Sequence, residues 1–276
     1  MKEDPLATLA WLIEAGADEA IGDAPVNRLT VKTPTPVTPL MSAPARQAAA
    51  TTATKTTTAS TGADPIGDAM AAAAAATSLE ELKAVMEAFE GSALKRAATN
   101  TVFADGTPTG RVMFIGEAPG RDEDRIGKPF VGRAGQLLDK MLASIGLDRG
   151  KNCYITNVIN WRPPENRDPS PEEAAICLPF LRRHIELANP GLIVLLGAVA
   201  ARHVMGISDG IMRSRGRWLE YRVGNAMVPV MPTLHPAYLL RQPAHKKLAW
   251  RDLQAIATRM ELLSLPAQVA GTGGQG

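Results

Sequence analysis

Four short apolar runs, each closed by a turn and separated from the next by a segment of helical period, decide most of what this chain can become. They are RVMFI (111–115), NCYITNVI (152–159), LIVLLG (192–197) and AMVPVMPTLH (226–235). Runs this short and this uniformly apolar read as strands buried on both faces. Between them lie GRAGQLLDKMLASIGL (132–147) and SPEEAAICLPFLRRHIELA (170–188), the latter with Ser170 as cap and Pro171 at its first position. A last helix is expected from about Ala244 to Leu263. Strands alternating with helices imply an α/β fold, three-layer α/β/α with a central parallel four-stranded sheet. Pro229 and Pro232 fit the fourth run poorly, because proline cannot donate to a ladder. In such folds a ligand binds beyond the carboxyl ends of the strands. Those ends carry GEAPG (116–120), Asn157, Gly197 and His235.

The rest of the 276 residues divides around this unit. In residues 1–24, Leu6, Leu9, Ala10 and Ile13 recur at helical spacing before Gly16, so a short N-terminal helix is expected. Residues 25–77 collapse to Ala, Thr, Pro and Ser, which bury too little to offset ordering entropy; a disordered linker is expected, with room for helix at Ala71–Ala76. Ser78 and Glu81 then form a capping box ahead of Leu79, Leu82, Val85, Met86 and Phe89, so the folded domain is placed at 78–265 and a flexible tail at 266–276. Cys153 and Cys177 are too few for a disulfide framework or a four-thiolate metal site, which points to a reducing, cytoplasmic setting. The acidic N-terminus does not resemble a secretory signal, and the apolar run Leu192–Ala201 is too short to span a bilayer. With a net charge of +2, nucleic-acid binding would need a local basic patch.

GEAPGRDEDRIGKPFVGRAG (116–135) has neither the Lys-Ser/Thr ending of a P-loop nor the glycine spacing of a dinucleotide site. It does concentrate Glu117, Asp122, Glu123 and Asp124 ahead of an aromatic, Phe130. Of the four histidines, His184 and His203 sit beside arginines in helices and read as solvated, while His245 belongs to a basic run. His235 ends a strand, faces the ligand edge and can donate a hydrogen bond or titrate. Tyr238, Leu239, Leu240 and Arg241 follow it, apolar side chains on an expected exposed loop.

GEAPGRDED, GKPFVGRAGQLLDKML, ITNVINWRPPENRDPSPEE and PTLHPAYLLR, in that order, resemble the family 4 uracil-DNA glycosylases over about residues 80–262. The resemblance implies an enzyme that flips uracil out of DNA and hydrolyses its N-glycosidic bond, initiating base excision repair. It assigns Asn157 to reading the base, Phe130 to stacking on it, and Ala118 with Glu117 to its edge. His235 becomes the donor to uracil O2, and Tyr238, Leu239, Leu240 and Arg241 become the loop that wedges into the duplex. Arg213, Arg215, Arg217, Lys246, Lys247 and Arg251 are candidates for phosphate contacts. Better-known uracil glycosylases carry an Asp where this chain has Ala118, so orienting the attacking water is left to Glu117, Glu123 or Asp124. The family is usually built around an iron–sulfur cluster, but its four cysteine positions read Phe89, Ser92, Trp161 and Cys177 here. No cofactor and no metal are therefore expected, with apolar packing in the cluster's place. Uracil-containing DNA is the expected partner, the chain a monomer without membrane association, and the N-terminal helix available to a protein partner. The alternative is a protein that binds or traps uracil-DNA without turnover. A related branch traps through a histidine in the loop after the second strand, and NWRPPENRDPSPEE contains none.

Overall fold

A computed structural model describes residues 64–265; the segments assigned to the N-terminal helix, most of the linker and the tail lie outside the described residues. The strands are β1 (Asp105–Gly106), β2 (Val112–Gly116), β3 (Tyr154–Asn157), β4 (Leu192–Leu196), β5 (Leu219–Val223) and β6 (Ala226–Thr233), in the sheet order β1-β3-β2-β4-β6-β5. The central four, β3-β2-β4-β6, run parallel and correspond to the four apolar runs. Two antiparallel edge strands widen the expected four-stranded sheet to six. β5 alternates partly buried and exposed residues, as an edge strand with one wet face does. Each proline of β6 lies where the strand has one neighbour: Pro229 pairs within the stretch facing β5, Pro232 within the stretch facing β4.

The helices are α1 (Pro65–Ala75), α2 (Leu79–Ala88), α3 (Ala93–Ala97), α4 (Arg121–Ile126), α5 (Arg133–Ala143), α6 (Pro171–Ala188), α7 (Ala198–Met205), α8 (Ile211–Ser214), α9 (Pro236–Arg241) and α10 (Lys246–Leu262). Side chains alternate across the strands, so Val112, Phe114, Ile155 and Val194 face α5, α9 and α10, whereas Met113, Ile115, Ile193 and Leu195 face α1, α2 and α6. These are the three expected layers. No helix among the described residues is long and apolar enough to cross a membrane.

The folded unit starts before Ser78. Within the stretch read as linker, Ala69, Ala73 and Ala76 of α1 and its C-terminal cap are buried in the core that α6 shares. Their side chains are small enough for close approach, and Arg183 of α6 donates from Nε and Nη2 to the Ala76 carbonyl at 2.9 and 2.8 Å. Alanine repetition reads as low complexity in a sequence, yet on one helical face it makes a flat packing surface. A chain lacking residues 1–63 is expected to melt with the full-length protein, and one lacking 1–77 several degrees lower. Thermal denaturation of the two deletions checks this; equal melting would mean α1 adds nothing.

Candidate active site

Gly116 and Asn157 end two adjacent parallel strands in register. A Cβ on Gly116 would collide with both Asn157 Oδ1 and the Phe130 ring, so the missing side chain lets amide and ring meet above the strand ends. Asn157 is 1% exposed, and its Oδ1 is buried without a hydrogen-bond partner among the described residues. Leaving such an acceptor unpaired costs about 1–3 kcal/mol, a cost that a ligand donor would remove.

Phe130 is buried with φ of 54°, the left-handed region that a bulky residue rarely adopts. Its surroundings enforce that conformation. Gly135 has no Cβ to strike the Phe130 carbonyl, and Arg149 donates to the carbonyls of Phe130 at 2.9 Å and Pro129 at 3.1 Å. From the other side Glu123 Oε1 accepts from the N–H groups of Val131 and Gly132, both at 2.9 Å.

His235 caps α9: its Nδ1 accepts from the Ala237 N–H at 3.1 Å. An accepting Nδ1 in a neutral ring places the hydrogen on Nε2. Burial first, and then the charge of Arg241, push its pKa down to about 4, so the ring is a neutral donor near pH 7. Its centroid lies 5.5 Å from that of Phe130.

The three acids left open by the sequence separate clearly. Glu123 is a clamp, its second oxygen accepting from Gly120 N–H at 3.2 Å. Asp124 is buried and accepts from the N–H groups of Thr99 and Asn100 at 2.9 and 3.1 Å. Both carboxylates are committed to holding loops. Glu117 is partly buried, and its side chain makes no hydrogen bond or ion pair among the described residues. Burial chiefly, with the nearby charge of Asp168, raises its pKa, opposed by Arg202 and Arg241. Ala118 is partly buried and packs on the core that α6 shares.

The expected wedge loop is instead helix α9, and its period sorts the four residues. Leu239 is 1% exposed and belongs to the core with Leu138 and Leu142, so it is not a surface wedge. Tyr238 is partly buried, its hydroxyl 2.7 Å from His245 Nδ1. Leu240, 38% exposed, and Arg241 remain on the surface. A helical reading of PAYLLR would have found this, since Pro236 and Leu239 are three apart. Arg215 is also unavailable to phosphate, being paired with Asp252 and donating to the Leu248 carbonyl.

His184 is not solvated. It is buried, stacked on Phe103 at 4.2 Å, and its Nε2 lies 2.9 Å from the Tyr154 hydroxyl. Burial lowers its pKa to about 3. Between pH 6.5 and these depressed values the unfolded chain binds protons that native His184 and His235 refuse, so stability rises with pH there. The contribution is complete above about pH 6.5 and is lost on acidification toward pH 4 and 3. Thermal melts should therefore be level above neutrality and fall steadily below pH 6, and His235→Asn should flatten part of that slope.

The positions of the family's cluster ligands do not fit an iron–sulfur centre. Phe89, Trp161 and Cys177 share one core cluster, and Ser92 is buried with an unpaired hydroxyl. Phe89 stacks on Trp161 at 6.3 Å, and Phe180 meets the two rings edge-on at 5.1 and 6.3 Å. Cys177 offers the one thiol, pushed by burial up to about 12, and Cys153 lies across the sheet in the other core. Among the described residues no three His, Cys, Asp or Glu are placed to hold a metal ion.

Comparison with known proteins places the same region in one family. The family described as the Uracil DNA glycosylase superfamily matches residues 103–254. The chain is 43% identical to the Type-4 uracil-DNA glycosylase of Archaeoglobus fulgidus over 59% of its own length and 83% of that protein. It is 45% identical to that of Thermotoga maritima over 56% and 81% of the two chains. For that of Sulfurisphaera tokodaii the identity is 39%, over 65% and 83%.

Proposed function

Because the chain belongs to the uracil-DNA glycosylase superfamily, we propose that it is a hydrolase of N-glycosyl bonds that excises uracil from DNA. The observation that carries this reading is the buried, unpaired Asn157 Oδ1 beside Phe130 and a neutral His235. Uracil presents an N3–H donor and an O4 acceptor, and cytosine the reverse. Asn157 Oδ1 accepts from N3–H while its amide N–H donates to O4, so cytosine leaves both groups unpaired. Phe130 stacks on the base, and Ala118 leaves space at its edge.

Breaking the C1′–N1 bond puts positive charge on the sugar and negative charge on the departing uracil. The Nε2–H of His235 meets that negative charge at O2, a hydrogen bond that strengthens only as the bond breaks. Glu117 holds the water whose oxygen bonds to C1′ and accepts its proton, and its raised pKa brings it closer to working pH. Flipping the base costs a few kcal/mol of unstacking, offset as Leu240 and Arg241 fill the gap. The product is an abasic site, the start of base excision repair.

The test is a labelled uracil oligonucleotide treated with the protein, then alkali, and run on a denaturing gel. A cleaved strand supports turnover, a shifted covalent adduct would indicate trapping, and an unchanged strand would refute both. Asn157→Asp is expected to abolish uracil excision or redirect it to cytosine, because a carboxylate cannot donate to O4. Wild-type excision by that variant would remove Asn157 from base reading.

A further inference from the structure

Three arginines with no role so far line a single cavity of about 390 Å3: Arg121 of α4, Arg133 of α5, and Arg162 in the loop after β3. None of the three has an ion-pair partner among the described residues. Arg162 Nε donates to Asn166 Oδ1 at 2.8 Å, which orients the guanidinium and leaves its charge uncompensated. The two acids on the wall leave the guanidinium groups in excess, and neither is bonded to one of the three arginines. Asp122 lies 3.8 Å from Arg125, and the Glu123 carboxylate is taken up by three backbone N–H groups.

The same bonds explain how the arginines come together. Glu123 holds Gly120 with one oxygen and Gly132 with the other, the residues immediately before Arg121 and Arg133. One carboxylate therefore sets both backbones. Arg162 follows Trp161, which is fully buried, so its backbone is anchored as well. The cavity also adjoins the base site in the chain, since Gly132 is two residues past Phe130 and Arg162 five past Asn157.

We infer that this cavity binds a backbone phosphate of the DNA strand that carries the uracil. Three planar donor forks, none of them ion-paired and together outnumbering the two acids of the wall, suit a phosphodiester, whose oxygens accept paired N–H donors and whose charge is opposite to theirs. Sequence reading looked for phosphate contacts farther along the chain, at residues 213–217 and 246–251. This inference rests on the uracil-DNA reading and adds to it the grip on the strand beside the flipped base.

The experiment uses the full chain and duplex DNA bearing a tetrahydrofuran abasic analogue, which cannot be cleaved, with affinity followed by fluorescence anisotropy across salt concentrations. Arg121→Gln, Arg133→Gln and Arg162→Gln are each expected to weaken binding about tenfold, and the three together to flatten the plot of log affinity against log salt by about one unit. Arg133→Lys keeps the charge and should keep the slope. A single neutral methylphosphonate is then walked along the strand. At one position it should weaken wild type but add no further loss to the Gln variants. Losses that add at every position, or an unchanged salt slope, would overturn the inference. Uracil excision by the same wild-type preparation is measured alongside: its absence would sink the proposed function, whereas excision without coupling would sink the phosphate site alone.

Discussion

Replacing His235 by alanine is expected to slow single-turnover uracil excision about 10²–10³-fold, the usual effect of removing one donor from a developing anion. Affinity for DNA carrying an abasic analogue should change no more than a few fold. The asymmetry follows from the neutral ring, which carries one N–H donor at Nε2 because Nδ1 is occupied by the Ala237 N–H. A hydrogen bond to O2 gains most when charge arrives there, so its loss falls on the rate. Alanine also removes the cap of α9, worth about 1 kcal/mol. His235→Asn separates the two effects, because asparagine can cap the helix but cannot reproduce the imidazole donor. It should match alanine in rate and wild type in melting temperature. Rate and affinity falling together in both variants would mean the residue only shapes the loop.

Trp161→Ala should cost about 3–5 kcal/mol of folding stability, the range for deleting a large buried aromatic. Trp161 is 0% exposed, its indole N–H donates to Thr101 Oγ1 at 3.0 Å, and its ring packs with Phe89 and Phe180. Those contacts join the segment before α3, the loop after β3 and helix α6, segments that a metal cluster could otherwise tie. Denaturant titration measures the loss, and a change below about 1 kcal/mol would show that the aromatic group is not the tie. Purified protein is expected to be colourless and indifferent to chelators. Stoichiometric iron would overturn that account, since two cysteines in separate cores cannot supply four thiolates.

What the sequence discloses depends on whether a property is local or spatial. The four parallel strands are legible because burial on both faces leaves an apolar run. β1 has two residues, and β5 reads LEYRV, so neither carries that signature. Asn157 and His235 are reachable because both sit at strand ends, where open α/β sheets place ligands. The acids were not separable, since Glu117, Glu123 and Asp124 differ only in which backbone N–H groups fold back onto them. Leu239 and His184 escape a sequence reading for the same reason: one lies on the buried face of a helix whose sequence reads as a loop, and the other is covered by Phe103.

Helix α9 begins after His235 and presents Leu240 near its far end. Five residues of α-helix advance about 7.5 Å. In the proposed mechanism, the spacing between the group that meets the departing base and the group that fills its place is thus fixed by backbone hydrogen bonds, as on a ruler, and no loop has to find it anew on each encounter with DNA.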